Sequence, residues 1–223
     1  MRRTVAELVD EDEPGWPLVQ EWIDEAVVPV EVLPKSEAWA TEIEALQVTT
    51  RSPMGALAHA SGGLLVDGGW LKVLGASDPK LPWSISGLTR ELGFWPDPNG
   101  PPPLLVVAID VLGGVFAIDG GKLGAPGNIH YFAPDDPDWL DCDTRYSGWL
   151  SASLSGGMDQ FYADLRWEGW KEELAALKPD QGISIYPPPW SEESKPLEKT
   201  SRRAISLLEI IKVNFDTAEQ RRP

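Results

Sequence analysis

Thiols and imidazoles are almost missing from this 223-residue chain, which has one cysteine, Cys142, and two histidines, His59 and His130. One thiol excludes an internal disulfide. Neither histidine has a second His or Cys at metal-ligand spacing, so no metal is expected. Positive charge is also scarce: 19 Lys and Arg stand against 35 Asp and Glu, a formal net charge of −16. A field of that sign repels phosphate backbones and anionic lipid, whose binding depends on Lys and Arg displacing counterions, so neither nucleic acid nor a membrane surface is an expected partner. No apolar run approaches the ~18 residues of a membrane helix. Met1-Arg2-Arg3 is followed by acidic, amphipathic sequence rather than the hydrophobic segment that a signal peptide or twin-arginine signal needs. A reducing cytoplasm is therefore the expected compartment.

Nucleotide and nucleophile motifs are absent as well. Gly62-Gly63, Gly113-Gly114 and Gly120-Gly121 lack the Lys-Ser/Thr of a P-loop and the G-x-G-x-x-G of a dinucleotide fold, which makes them turns. There is no G-x-S-x-G, and Ser155 in Leu154-Ser155-Gly156-Gly157 has no adjacent base. The carboxylates Asp135, Asp136, Asp138, Asp141 and Asp143 lack the ordered Asp/Asn, Gly and Glu spacing of a calcium loop. No catalytic residue and no cofactor are expected.

What is abundant is Gly and Pro, 21 of each, and Trp, at 11. Frequent Gly and Pro imply short elements, which disfavours a helical bundle. Three apolar runs, 104–110, 113–119 and 129–133, separated by Asp, Gly and Asn, predict a β-meander. Gly68-Gly69 between apolar residues 64–66 and 70–74 predicts a hairpin with a two-residue turn. Helices are predicted from Thr4 to the Asp12-Glu13-Pro14-Gly15 turn and over 19–26, 36–46, 54–60, 84–92, 146–154 and 159–177, the last split or kinked at Gly169, and strands at 28–33 and 183–186, with 205–215 returning to the core. Few strands lie on either side of the 97–103 connector, so one shared sheet is expected over residues 64–74 and 104–133. The fold expected is α+β: a single domain over 1–223, a twisted, mainly antiparallel sheet with helices around it, a helical extension at 1–35 and a polar tail at 216–223.

Trp22, Trp39, Trp167 and Trp170 fall on predicted helix faces and suit a core. Trp16, Trp83, Trp95, Trp139, Trp149 and Trp190 fall near turns and prolines, where an indole either packs under a loop or stacks on a sugar ring or anchors a protein partner.

Several separated motifs resemble one family. Pro53-Met54-Gly55-Ala56-Leu57, Gly62 to Gly75, Asp110 to Ile118, Tyr131-Phe132-Ala133-Pro134-Asp135, Phe161-Tyr162 with Leu165-Arg166-Trp167 and Trp170, and Tyr186-Pro187-Pro188-Pro189-Trp190 are similar to the bacterial domain-of-unknown-function family 2625. The resemblance runs from about Trp39 to Phe215 and implies no assigned activity. More distantly, Ala60-Ser61-Gly62-Gly63, the meander to Tyr131-Phe132, and Ser147-Gly148-Trp149-Leu150 resemble the SUKH superfamily of α+β proteins, many of which neutralise bacterial toxins. The Leu-Pro-x-x-Tyr entry usual there is absent. That likeness implies an antiparallel sheet packed by helices, and no active site.

The expected function is therefore binding of another, basic protein without catalysis, as an immunity-like protein does, through Asp135, Asp136, Asp138, Asp141, Trp139 and Trp190. The net charge alone fits either solubility or steering toward such a partner. The alternative is a carbohydrate-binding or carbohydrate-active protein, which needs an open indole face beside two carboxylates about 5–10 Å apart. Oligomeric state and partner identity have no signature in the sequence.

Overall fold

The computed structural model describes residues 2–97, 99–136 and 138–221. Met1, Pro98 of the predicted connector, Pro137 of the acidic loop and the last two residues of the expected tail lie outside the described residues.

The chain opens with α1 (Val5–Leu8), where the Glu7 carboxylate accepts from both the backbone N–H and the hydroxyl of Thr4 at 2.8 Å. Next come α2 (Trp16–Asp24), the short β1 (Val30–Val32), α3 (Trp39–Leu46) and α4 (Pro53–Ala60). Ser52 caps α4 by accepting from Gly55 N–H, with Pro53 at the first helical position. Strands β2 (Gly63–Val66) and β3 (Leu71–Leu74) form the hairpin that Gly68-Gly69 predicts. Its turn is longer than expected. Asp67, Gly68 and Gly69 form one 3-10 turn with φ of +52°, +70° and +90°, so Asp67 is the third residue in the left-handed region.

Helix α5 (Ile85–Glu91) is capped by Ser84 and leads to the meander β4 (Leu104–Asp110), β5 (Val115–Asp119) and β6 (Asn128–Phe132). All pairs are antiparallel, in the sequential order β1-β2-β3-β4-β5-β6-β7, so residues 64–74 and 104–133 do share one sheet. The seventh strand, β7 (Trp139–Arg145), pairs with β6 and is not among the predicted strands, since its residues show neither an apolar run nor a clear alternation. Helix α6 (Tyr146–Leu154) follows as predicted.

The predicted 159–177 helix does split at Gly169, at φ +82°, where α8 (Trp170–Ala175) begins, but the part before it is also broken, into α7 (Gly157–Phe161) and a 3-10 turn at Ala163–Leu165. Strand β8 (Gln181–Tyr186) pairs with β9 (Ser201–Ser206) in a separate two-stranded sheet. Helix α9 (Leu207–Arg221) then runs through most of the expected polar tail. Ala218 keeps that part of the helix on the core: it is buried and lines a small cleft with Phe94, Phe132, Trp139 and Phe215.

One continuous apolar cluster joins the sheet residues to Leu8 of α1, Val19 of α2, Leu150 and Leu154 of α6, and Ile211 of α9. The N-terminal helices therefore share the main core. Alternation decides what each sheet face meets. Phe116 and Tyr131 stand opposite each other on one face and stack on one another at 4.4 Å, with Trp149 5.0 Å from Phe116 and Phe161 4.9 Å from Tyr131. Phe132, on the other face, packs 4.3 Å from Phe215 of α9.

Candidate functional site

Strand β7 is the last in the sheet, so one of its backbone edges pairs with no strand among the described residues. Its residues show why the sequence concealed it: Leu140, Asp141, Asp143 and Arg145 are exposed, and the strand has no apolar face of its own. Charge on an edge strand is how sheets avoid sticking to one another. The acidic side chains fall into two groups. Asp135 and Asp136 are exposed on the loop, with Asp138, whose carboxylate accepts from Trp139 N–H at 2.8 Å. Asp141 lies in the strand, not the loop; it accepts from Asn128 Nδ2 at 3.1 Å and from Asp143 N–H at 2.8 Å. Although Asp135 as a residue is exposed, its carboxyl lies in a polar cleft beside Asp164, and that desolvation, reinforced by the Asp136 and Asp164 charges, pushes its pKa up.

The two tryptophans expected to anchor a partner are half-buried. Trp139 packs on Phe132 at 5.5 Å and Phe215 at 6.0 Å. Trp190 is half-buried and lines an apolar groove of about 220 Å³ with Pro134, Ile185, Ile205, Ile210 and Val213. The same holds throughout: all eleven tryptophans are buried or half-buried. Beside the groove is a polar cleft of about 450 Å³ lined by Asp135, Asp164, Arg166, Lys195 and Glu198, and Pro189 belongs to both. The acidic loop thus borders an apolar surface on one side and a mixed-charge surface on the other.

Two networks that the sequence reading missed hold this end of the molecule. Arg166 donates to Asp67 at 2.7 Å and Asp159 at 2.8 Å, with its guanidinium 4.5 Å from the Trp170 ring and 5.1 Å from Trp70. That clamp ties the 163–165 turn to the β2–β3 turn. Asp110, fully buried, accepts from Leu112 and Gly114 N–H at 2.9 Å, Tyr131 Oη at 2.6 Å and Tyr162 Oη at 3.3 Å. Burial raises its pKa while the four donors oppose the rise. A Cβ on Gly114 would lie 2.1 Å from the Asp110 carboxylate and 2.4 Å from Tyr131 Oη, so this glycine is needed for close approach. Asp110 in the sequence is the residue ending an apolar run before Gly-Gly; that signal reads as a turn and gives no hint of the two tyrosines.

Nothing here assembles a catalytic constellation among the described residues. His59 Nε2 lies 3.0 Å from Lys35 Nζ, and burial followed by the Lys35 charge pushes its pKa down. His130 Nε2 is 4.0 Å from Asp141, with no serine or thiol joined to that pair. Burial and the Asp141 charge raise the Cys142 thiol to about 11, leaving little thiolate at neutral pH. No three His, Cys, Asp or Glu side chains among the described residues are grouped to hold a metal ion, and no described helix is long and apolar enough to cross a membrane.

Comparison with known proteins gives two full-length relatives. The chain is 36% identical over 219 residues to the uncharacterised protein YbfG of Escherichia coli strain K12, covering 97% of this chain and 98% of the relative. It is 31% identical over 221 residues to an uncharacterised protein of Haemophilus influenzae Rd, covering 96% and 94%. No solved structure matches it significantly. The pattern of the family described as protein of unknown function DUF2625 matches residues 5–210. A match of that extent, joined by two full-length relatives, means that this chain belongs to the DUF2625 family.

Proposed function

We propose that this protein is a non-catalytic binding module for a basic protein, engaged through Asp135, Asp136, Asp138 and Asp141 and the outer edge of β7. The observation that carries this reading is placement. The four carboxylates are exposed along one loop and the edge strand that continues it, beside Leu140, which is 58% exposed. An unpaired edge offers main-chain hydrogen bonds to an extended segment, and the acidic side chains favour a segment rich in Lys and Arg. The immunity-like form of this reading, in which the partner is a toxin, rests on the resemblance to the SUKH superfamily and on the antiparallel sheet packed by helices that such a kinship implies. The carbohydrate alternative requires an open indole face beside paired carboxylates; Trp139 is packed on Phe132 and Phe215, and Trp190 faces an apolar groove, which favours the protein-binding reading.

The test is a variant with all four aspartates changed to Asn. Asn keeps one acceptor oxygen, so the bonds to Trp139 and Asp143 N–H can persist, and exposed charges contribute little to stability. Thermal stability should change by less than about 1 kcal/mol. Association with the protein captured from the native host should slow about tenfold or more, and wild-type association should weaken as salt shortens the screening length from about 10 Å at 0.1 M toward 3 Å at 1 M. Capture that is indifferent both to salt and to the four substitutions would overturn the proposal.

A further inference from the structure

Among the described residues, Lys72 is the only buried lysine, 5% exposed at the middle of β3. Its Nζ donates to the carbonyl oxygens of Pro179 at 3.0 Å and Gln181 at 3.4 Å, and no ion pair forms with it among the described residues. A buried ammonium without a carboxylate partner is costly to keep charged. Desolvation accordingly lowers its pKa to about 8, with only the Asp180 charge acting the other way. Lys72 also lines an open cleft of about 360 Å³, together with Leu65, Gly68, Leu174, Ala175 and Pro179, whose carbonyl the ammonium meets. The remaining charges at this cleft are few. Glu31 of β1 is paired with Lys80 at 2.5 Å, Lys178 lines the mouth, and Asp67 of the adjoining turn is held by Arg166.

We propose that Lys72 is a covalent site for small carbonyl compounds, aldehydes or 2-oxo acids, which it captures in this cleft as an imine. The neutral amine adds its lone pair to the carbonyl carbon, forming the C–N bond. The carbonyl oxygen takes up the proton that nitrogen releases, giving a carbinolamine. Loss of water then forms C=N, with nothing oxidised or reduced. Lysines used in this way are those whose amine is neutral near physiological pH because an apolar pocket desolvates it. At pH 8 about half of such an amine is neutral, against roughly 0.4% for an unperturbed lysine of pKa near 10.4. Lys178 at the mouth favours the carboxylate of a 2-oxo acid over a neutral aldehyde.

The full-length protein should be incubated with propanal or with glyoxylate in the presence of cyanoborohydride, which reduces an imine to a stable amine, and the adducts located by peptide mass mapping. Labelling at Lys72 should outpace that at exposed lysines such as Lys199 and Lys212 by about tenfold or more, with half-maximal rate near pH 8. Changing Ala175, exposed on α8, to Trp narrows the cleft and should slow labelling at Lys72 alone. Faster labelling with glyoxylate than with propanal relative to the exposed lysines identifies the 2-oxo acid class, and equal acceleration identifies carbonyls in general; both support the site. Labelling at Lys72 no faster than at the exposed lysines, or a rate still climbing in parallel with theirs toward pH 10, would overturn it.

Discussion

Replacing Asp110 with Ala should lower stability by about 3–5 kcal/mol, since each buried donor left unsatisfied costs about 1–3 kcal/mol and Asp110 serves several. For a chain of this size that is a fall of roughly 10 °C in Tm. The loss arises because two backbone N–H groups and two tyrosine hydroxyls point at the Asp110 carboxylate, and Ala leaves all four without an acceptor in a site closed to water. Asn should behave differently. Its oxygen can serve Leu112 and Gly114, while its amide donates to the tyrosine hydroxyls, which can turn to accept. Asp110→Asn is therefore expected to cost under about 1 kcal/mol. Denaturant titration of both variants checks this, and equal losses would show that the carboxylate charge itself is required. The pH dependence follows in sign. Because burial raises the folded pKa of Asp110, the unfolded chain is the stronger acid. The contribution is fully present below the unfolded value near 3.9 and is lost as pH rises through the folded value. Asp110→Asn should remove that component.

Trp70→Ala should be as damaging, at about 3–5 kcal/mol, the range for truncating a buried Trp. Trp70 is wholly buried, with ring centroids 5.0 Å from Trp170, 5.6 Å from Tyr162 and 5.9 Å from Trp167, and the Arg166 guanidinium lies against it. Removing the indole opens a cavity under both the β2–β3 turn and the Arg166 clamp. Its indole N–H, however, has no partner among the described residues. Trp70→Phe thus deletes a buried, unsatisfied donor along with part of the ring, and its cost should be well below that of Ala, about 1–2 kcal/mol. Equal destabilisation by Phe and Ala in chemical denaturation would show that the indole N–H is bonded in the folded protein.

The sheet was legible where apolar residues alternate or run together between turn residues, as in 104–133 and 64–74, because burial there is what the residue types record. Strands β7 and β9 were not legible. Trp139–Arg145 and Ser201–Ser206 are largely exposed, so main-chain pairing decides their conformation while their side chains resemble those of loops. The 159–177 segment failed in the opposite sense. Its break at Gly169 was legible, but its aromatics suit a helical face up to that point, yet Tyr162 turns in to Asp110 and Arg166 to Asp67, contacts that local periodicity cannot register. At the candidate site, the sequence indicated which carboxylates are exposed. It did not indicate that Trp139 closes on Phe132 and Phe215, since a Trp beside a loop has the same local signature whether its partners lie nearby or 76 residues on.

Amide hydrogen exchange of the protein alone and bound to its captured, purified partner tests the binding proposal most directly, because it locates the contact on the backbone. Slowed exchange over residues 135–145, diminished in the four-Asn variant, is the predicted result. Protection confined to the groove formed by β8, β9 and α9, with 135–145 exchanging as in the free protein, would contradict it.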